Sequence, residues 1–535
     1  MIRKGHRLSH FRINLINLIN LINLLRQPLL WVWPFVVFCP KNAMRLYPFP
    51  VFLLLSGFLN ASTLHVGTGQ TYTTLSAAVA VVAPGDTVLI HAGTYPGGLF
   101  FADLKGNDNQ WITIRNAPGA TVVFEGGTNA IQLTEPAYLH LRGLVFQHQT
   151  GNGFNLDDGG TYDTPAHHIV FEDCIFRDMS ASGNNDLLKL SGLDYFEVRH
   201  CTFQNGATGG SGIDMVGCHH GLIEGNYFEN LGSNSIQCKG GSEWVRIEGN
   251  FFRDGGQRTL NIGGSTGLPF FRPDTAHFEA ANVQVFANII VGSWAPVAYV
   301  GAVNVTVANN TIYQPENWVI RILQETVDPD RFLACGDNSF VNNIIWLGNN
   351  LSTEVNVGPN TAPETFQFSN NLWFNADNTN WSGPSLPVTE TNSILNLDPE
   401  FSSPANSDFS ILPTSPAAGA GVSVSLLSLD FQGNLFANPP SVGAIEANPV
   451  SGTGVSTGNS AWRVFPNPVS DVVYLDGLAG MEAPVRVQLF DAAGRVVLEQ
   501  DFCGGPLNLV SLPGGLYVLR IVAGRQVWAV ILAKV

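Results

Sequence analysis

A short phrase recurs through the middle of this sequence: apolar, any, apolar, a break ending in Asn or Cys, then two mostly apolar residues. Leu222-Ile223-Glu224-Gly225-Asn226-Tyr227-Phe228 is one copy, and Val245-Arg246-Ile247-Glu248-Gly249-Asn250-Phe251-Phe252 is the next. The Asn/Cys position falls at 174, 201, 226, 250, 288, 310, 343 and 371, in steps of 27, 25, 24, 38, 22, 33 and 28 residues. A basal step of 22 to 27 with longer exceptions describes one repeating unit with loop insertions. Each step holds two or three runs of period-two alternation, the pattern of strands. Within 62–446 only 75–82 sustains a helical period. Strands repeating at this interval without helical crossovers predict a solenoid of stacked coils. The Asn or Cys falls where the chain turns between strands. Asn there can bond neighbouring backbone and tolerate a left-handed conformation, so stacked copies predict a ladder along the axis.

The region resembles the right-handed parallel β-helix of the pectate-lyase-like superfamily. Thr71-Tyr72-Thr73-Thr74-Leu75-Ser76-Ala77-Ala78-Val79, Pro84-Gly85-Asp86-Thr87-Val88 and Gly93-Thr94-Tyr95 resemble its N-terminal cap and first coil. The stretch from Ser415-Pro416-Ala417 through Asp430 and Gly433 to Val442-Gly443-Ala444-Ile445-Glu446 resembles a common last coil. The resemblance implies an all-β chain: a solenoid over 62–446 with a short N-terminal capping helix. It is specific for fold and says little about chemistry.

The two ends are addresses. Arg45, the apolar run 51–59 and the small pair Ala61-Ser62 form a secretory signal peptide if Met44 is the true start, so 1–61 is expected to be an extension plus leader. Residues 447–461, rich in Gly, Ser and Thr, predict a flexible linker. The segment 462–535 holds Trp462-Arg463-Val464-Phe465-Pro466-Asn467-Pro468, the turn Asp491-Ala492-Ala493-Gly494-Arg495, and Gly515-Leu516-Tyr517-Val518-Leu519. It resembles the C-terminal sorting domain of the type IX secretion system. That implies a small β-sandwich, a Gram-negative source of the Bacteroidetes kind, export across the outer membrane, and the secretion machinery as a partner.

The first 61 residues hold seven basic residues and no acidic one, which leaves 19 basic against 42 acidic in the remainder. That balance argues against nucleic acid as a partner and against bulk attraction of a polyanion. A monomer is expected. Seven Cys are too few for a disulfide scaffold. Cys174 and Cys201 share a repeat position on adjacent coils, so they are either bridged or stacked as small apolar residues.

A β-helix exposes long faces on which a glycan chain can lie. Aligning the strand before each repeat phrase puts Lys189, Asp214, Gln237, Asn261, Tyr299 and Arg321 in one outward column, with Lys239 two residues further along the same face. Between 62 and 446 there are only three Lys, and two of them, Lys189 and Lys239, fall on this patch. The longest step carries Arg258 and a loop with Phe270, Phe271 and Arg272, which reads either as a wall over the face or as a structural lid. His167-His168 and His219-His220 fall at strand starts, where capping or turn roles fit better than metal binding.

These residues predict a polysaccharide lyase acting on a uronate-containing glycan by β-elimination. Lys239 is the candidate base, its pKa expected to be lowered by Lys189 and Arg258 and raised by Asp214. Arg258 is the candidate carboxylate neutraliser, and Lys189 and Asp214 complete the catalytic group. Gln237, Asn261, Phe270, Phe271, Arg272, Tyr299 and Arg321 are candidates for substrate binding. The stretch Cys238-Lys239-Gly240-Gly241-Ser242 followed by Leu260-Asn261-Ile262 resembles the Lys-bearing coil of alginate and chondroitin lyases, which implies calcium. The expected acidic ligands are absent, however: Gly232-Ser233-Asn234-Ser235 stands in their place, and Gly263 replaces an expected Arg. Two other readings remain. A glycoside hydrolase would draw on the outward acids Asp157, Asp214 and Glu325. A non-catalytic glycan-binding or adhesive surface protein would need only the face and the loop.

Overall fold

The computed structural model describes residues 61–447 except Tyr162 and Ser428. In the C-terminal segment it describes 463–465, 469, 472–476, 485–491, 495–502, 507–523 and 526–534. The expected leader, apart from Ala61, and the expected linker, apart from Ala447, lie outside the described residues, as do Trp462 and Cys503.

Alternation at period two places one set of side chains inside and the other outside, and here the inside sets of successive coils coincide. Three parallel sheets result. Sheet A runs from Thr63–Val66 to Gln367–Ser369, sheet B from Gly93–Pro96 to Ile394–Leu395, and sheet C from Leu99–Ala102 to Val355–Val357. Successive coils visit the sheets in the order A, B, C, and every pairing along the three paths is parallel. This is a right-handed parallel β-helix. Its N-terminal end carries the short helix Leu75–Val79, capped by the Thr74 hydroxyl, which accepts from Ala77 N at 3.2 Å. The helix is shorter than the 75–82 periodicity predicts.

Inside, like side chains stack on like. Phe124, Phe146, Phe176, Phe203, Phe228 and Phe252 form one column, with ring centroids 4.7 to 5.6 Å apart. That interval matches the ~4.8 Å spacing of hydrogen-bonded strands, so stacking and strand pairing reinforce each other.

The repeat Asn residues form a second, polar column at the corner between sheets A and B. Asn226 Oδ1 accepts from Cys201 N, and Asn226 Nδ2 donates to Val198 O and to Asn250 Oδ1, at 2.8 to 2.9 Å. Asn250, Asn288, Asn310, Asn343 and Asn371 repeat the pattern. Glu390 ends the series, accepting from Asn371 N and Nδ2 at 3.0 and 2.6 Å and from Trp373 Nε1 at 2.9 Å. The bend itself is made one residue earlier than expected. Asp173, His200, Gly225, Gly249, Ala287, Asn309, Asn342 and Asn370 hold the left-handed conformation, with φ between 52° and 63°. This frees each ladder amide to turn inward. Cys174 and Cys201 occupy the first two rungs as free thiols that donate to backbone carbonyls, so they are stacked and not bridged.

The C-terminal segment forms antiparallel sheets of three and four strands. Val473, Leu475, Val487, Leu489, Leu519, Ile521 and Leu532 form their common core.

The ladder makes a stability prediction. Asn288→Ala strips partners from Asn250 N, Asn250 Nδ2, Ile247 O and Asn310 Oδ1, all buried. The loss should be about 3 kcal/mol or more, read as a lower urea unfolding midpoint. An unchanged midpoint would show that the rungs are replaceable.

Candidate functional site on sheet C

Register decides what this face presents. Phe100, Gln132, Asn155, Lys189, Asp214, Gln237, Asn261, Ala298, Arg321 and Asn356 are successive partners across sheet C. Tyr299 does not belong to this column. It pairs with Ile262 and Ile322 and is fully buried. Gly263 pairs with Val300 and not with Gly301, so the strand lies one residue away from the register that the glycine count predicts. At period two, that single step moves Tyr299 from the outer face into the core. Ala298 takes the outward position.

Asp214 is the centre of the patch. It has no exposed surface. A carboxylate removed from water in this way needs charge partners. Lys189 Nζ donates to its Oδ2, and Lys239 Nζ lies 3.2 Å from its Oδ1, at an angle outside hydrogen-bond geometry. Lys239 Nζ also donates to Gln237 Oε1 at 3.1 Å. Behind them Asp186, likewise buried, accepts from Ser211 N at 2.8 Å and lies 3.6 Å from Lys189 Nζ. Burial, with Asp214 nearby, pushes the Asp186 carboxyl up to about 6. Burial alone would pull the Lys189 ammonium down, but Asp214 and Asp186 outweigh it and raise its pKa. Asp186 has no signature in the sequence, because it lies outside the alternating column.

Arg258 stands on the same sheet, aligned with Asn234. Its guanidinium donates to Asn261 Oδ1 at 3.3 Å and to Glu325 Oε1 at 2.7 Å. Arg321 donates to Asn356 Oδ1 at 3.1 Å. Lys239, Gln237, Asn261, Arg258 and Arg321 therefore share one face. Asp157, accepting from Gln132 and Asn155, lies apart from Asp214, two strands away.

The loop of the longest step behaves differently from a flexible wall. Its first residues pass directly over Lys239: a Cβ at Gly264 would stand 2.8 Å from Gln237 Nε2 and 3.1 Å from Lys239 Cδ, so a larger residue would have to push these two side chains aside. Glu279 then locks the loop. Its carboxylate, 1% exposed, accepts from Gly240 N, Thr266 N and the Thr266 and Thr326 hydroxyls at 2.5 to 2.9 Å. Phe271 is fully buried against Ala276 and Phe332, out of reach of any substrate. Arg272 is also withdrawn. It clamps Asp194 through two bonds of 2.7 Å and donates to Gly217 O at 2.9 Å. Phe271 and Arg272 are therefore anchors and not substrate contacts. Phe270 remains outside, 68% exposed.

The His pairs are structural. His219 bonds Asp194 and Gly241 O at 3.0 and 3.1 Å. His168 and His220 hold the left-handed conformation and pack against Tyr138 and Tyr195 at centroid distances of 4.6 to 5.1 Å. Where the lyase resemblance would place calcium ligands, Asn234 Nδ2 donates to Ser211 Oγ and Ser235 Oγ to Gly255 O, both buried and neutral. These residues do not fit a calcium ion. Among the described residues, no group of three or more His, Cys, Asp or Glu converges as metal ligands.

Comparison with known proteins agrees with this architecture. Residues 129–312 match the family model for the right handed beta helix region, and 463–532 match the secretion system C-terminal sorting domain. This is a right-handed parallel β-helix protein with a secretion sorting domain. Its sorting domain directs it through the type IX system to the cell surface or the extracellular space. Residues 305–421 of the β-helix protein also match a domain of unknown function, DUF5123. Pectate lyase Pel9A is similar in structure at 16% identity and a TM-score of 0.51, covering 73% of this chain and 98% of that one, which speaks for the fold. Also similar are an alginate lyase from Paenibacillus sp. str. FPU-7 (17% identity, 56% and 99% coverage, TM-score 0.36) and the Azotobacter vinelandii mannuronan C-5 epimerase AlgE6 A-module (14%, 60% and 92%, 0.39). No curated protein sequence matches the chain.

Arg272 generates a pH prediction. Burial would raise the Asp194 carboxyl, but Arg272 and His219 outweigh it and lower it to about 2. A depressed carboxylate pKa stabilises the fold above its unfolded value near 4, and this contribution fades as pH falls towards 2. Arg272→Ala should move acid unfolding of the β-helix to higher pH, and should expose 264–278 to limited proteolysis. An unchanged acid transition would rule out the clamp as a stabilising element.

Proposed function

We propose that the β-helix protein is a secreted polysaccharide lyase that cleaves a uronate-containing glycan on the sheet C face. The observation that carries this reading is local charge. A chain with 42 acidic against 26 basic residues gathers Lys189, Lys239, Arg258 and Arg321 on one face. Elimination at a uronate needs a cation on the carboxylate and a base for the proton at C5. Arg258 takes the first role, exchanging Glu325 for the substrate carboxylate. Lys239 takes the second. Asp214 is already hydrogen-bonded by Lys189, so Lys239 holds the weaker contact with it. The C5–H pair becomes the C4–C5 double bond, the C4–O bond breaks, and the proton held by Lys239 returns to the departing oxygen. Phe270, exposed at the loop edge, and Gln237 and Asn261 in the column supply further contacts.

One observation favours a binding protein instead: in the free protein Lys189, Lys239 and Arg258 each stand within ion-pair distance of a carboxylate. A hydrolase is less suited, because Asp214 is sealed and Asp157 is two strands away.

Incubation with a panel of acidic polysaccharides should produce ultraviolet-absorbing unsaturated uronides. Lys239→Ala should lower that rate at least a hundredfold while the fold, by circular dichroism, stays intact. Full activity in this variant would remove Lys239 from the mechanism. Reducing ends without the absorbance would mean hydrolysis, and retention without product would mean binding alone.

A further inference from the structure

Two tryptophans that the repeat pattern does not single out lie beside the cationic face. Trp294 and Trp318 occupy the same turn, between sheets B and C, on consecutive coils, and Trp318 N donates to Trp294 O at 3.1 Å. Their indoles meet edge to face, at 88° and 6.1 Å between centroids. Trp294 N donates to Gly256 O of the coil before at 3.3 Å, and the indole is 46% exposed. A ring this large left half in water, rigidly braced by a second indole, is a surface feature that burial does not explain.

Arg321 adds charge to this platform. Its guanidinium lies over the Trp318 ring, 4.5 Å from the centroid, and its Nε donates to Asn356. No carboxylate among the described residues lies within ion-pair distance of it. Glu325 is bonded to Arg258. Arg258 thus takes the nearby carboxylate, and the surplus positive charge sits at Arg321. Burial and the Arg258 charge together pull the Arg321 pKa below its usual value, which a bound anion would reverse. A planar fork laid flat on an indole loses little freedom when it takes a carboxylate in bidentate fashion. The exposed Trp294 ring alongside suits the apolar face of a sugar.

The geometry points to a second uronate subsite, formed by Arg321, Trp318 and Trp294, which binds an acidic sugar remote from the bond that is cut. It rests on the reading of sheet C as the glycan face. Along that sheet the strand of Arg321 is three strands beyond that of Lys239, or roughly 14 Å. The subsite therefore engages polymers and longer oligomers, and short ones that fill only the Lys239 end miss it.

The test is native affinity electrophoresis of the mature chain in gels holding polygalacturonate, fully methyl-esterified polygalacturonate or a neutral glucan, with Lys239→Ala as background so that nothing is consumed. Retardation is expected in polygalacturonate alone, and Arg321→Ala and Trp294→Ala should each weaken it at least tenfold. Arg321→Lys should restore only a small part, since charge remains but the fork is lost. Retardation unchanged in both Ala variants, or equal in the methyl ester, would overturn the subsite. The outcomes separate from those of the lyase assay. If no unsaturated product ever forms but Arg321→Ala abolishes retardation, the subsite stands and the lyase falls. If product forms and both Ala variants bind and cleave long chains as well as the parent does, the lyase stands and the subsite falls.

Discussion

Everything in this molecule hangs on one repeated hydrogen-bonding arrangement, the Asn column at the corner of sheets A and B. Each rung pairs with the backbone of one coil and the amide of the next, buried away from solvent. A ladder of this kind allows one relative position of adjacent coils. The stacked Phe column enforces the same interval from the apolar side. Between them they fix the register of sheet C, which carries no ladder and would otherwise be free to slip.

The sheet C face can then hold charge. A fully buried carboxylate at Asp214 would be prohibitive in isolation, yet Lys189 and Lys239 reach it because the strands on either side are in register with its own. The same logic explains how an acidic chain can present a cationic surface. Net charge governs attraction at long range and is screened within about 10 Å, whereas a face assembled from a few cations acts at contact.

Much of this was legible in the sequence. Where coils keep nearly equal length, as between Lys189, Asp214, Gln237 and Asn261, counting residues from one Asn or Cys to the next was enough to align outward positions. Counting failed at the 250-to-288 step. There two glycines stand together, Gly263 pairs with Val300 and not with Gly301, and Tyr299 lies inside where the count predicts outside. The expectation for Phe271 and Arg272 fails for a related reason. Aromatic and Arg side chains in an inserted loop look like ligand contacts, but this loop must also be fastened. Arg272 is spent on Asp194, a residue 78 positions away that no local pattern connects to it. Asp186, Glu279, Trp294 and Trp318 carry no sequence signal because they sit at turns, outside the alternation that makes the rest readable.

The sequence by itself determined the stacked-coil architecture, the capping segments and the secretion tail. Those follow from local periodicity and short motifs, which are properties of neighbouring residues. Only the tertiary structure decided which charges meet, which loop residues are anchors and where the surplus guanidinium lies. Such pairings join residues 25 to 78 positions apart, and a one-residue difference in where a coil turns reverses inside and outside for a whole strand.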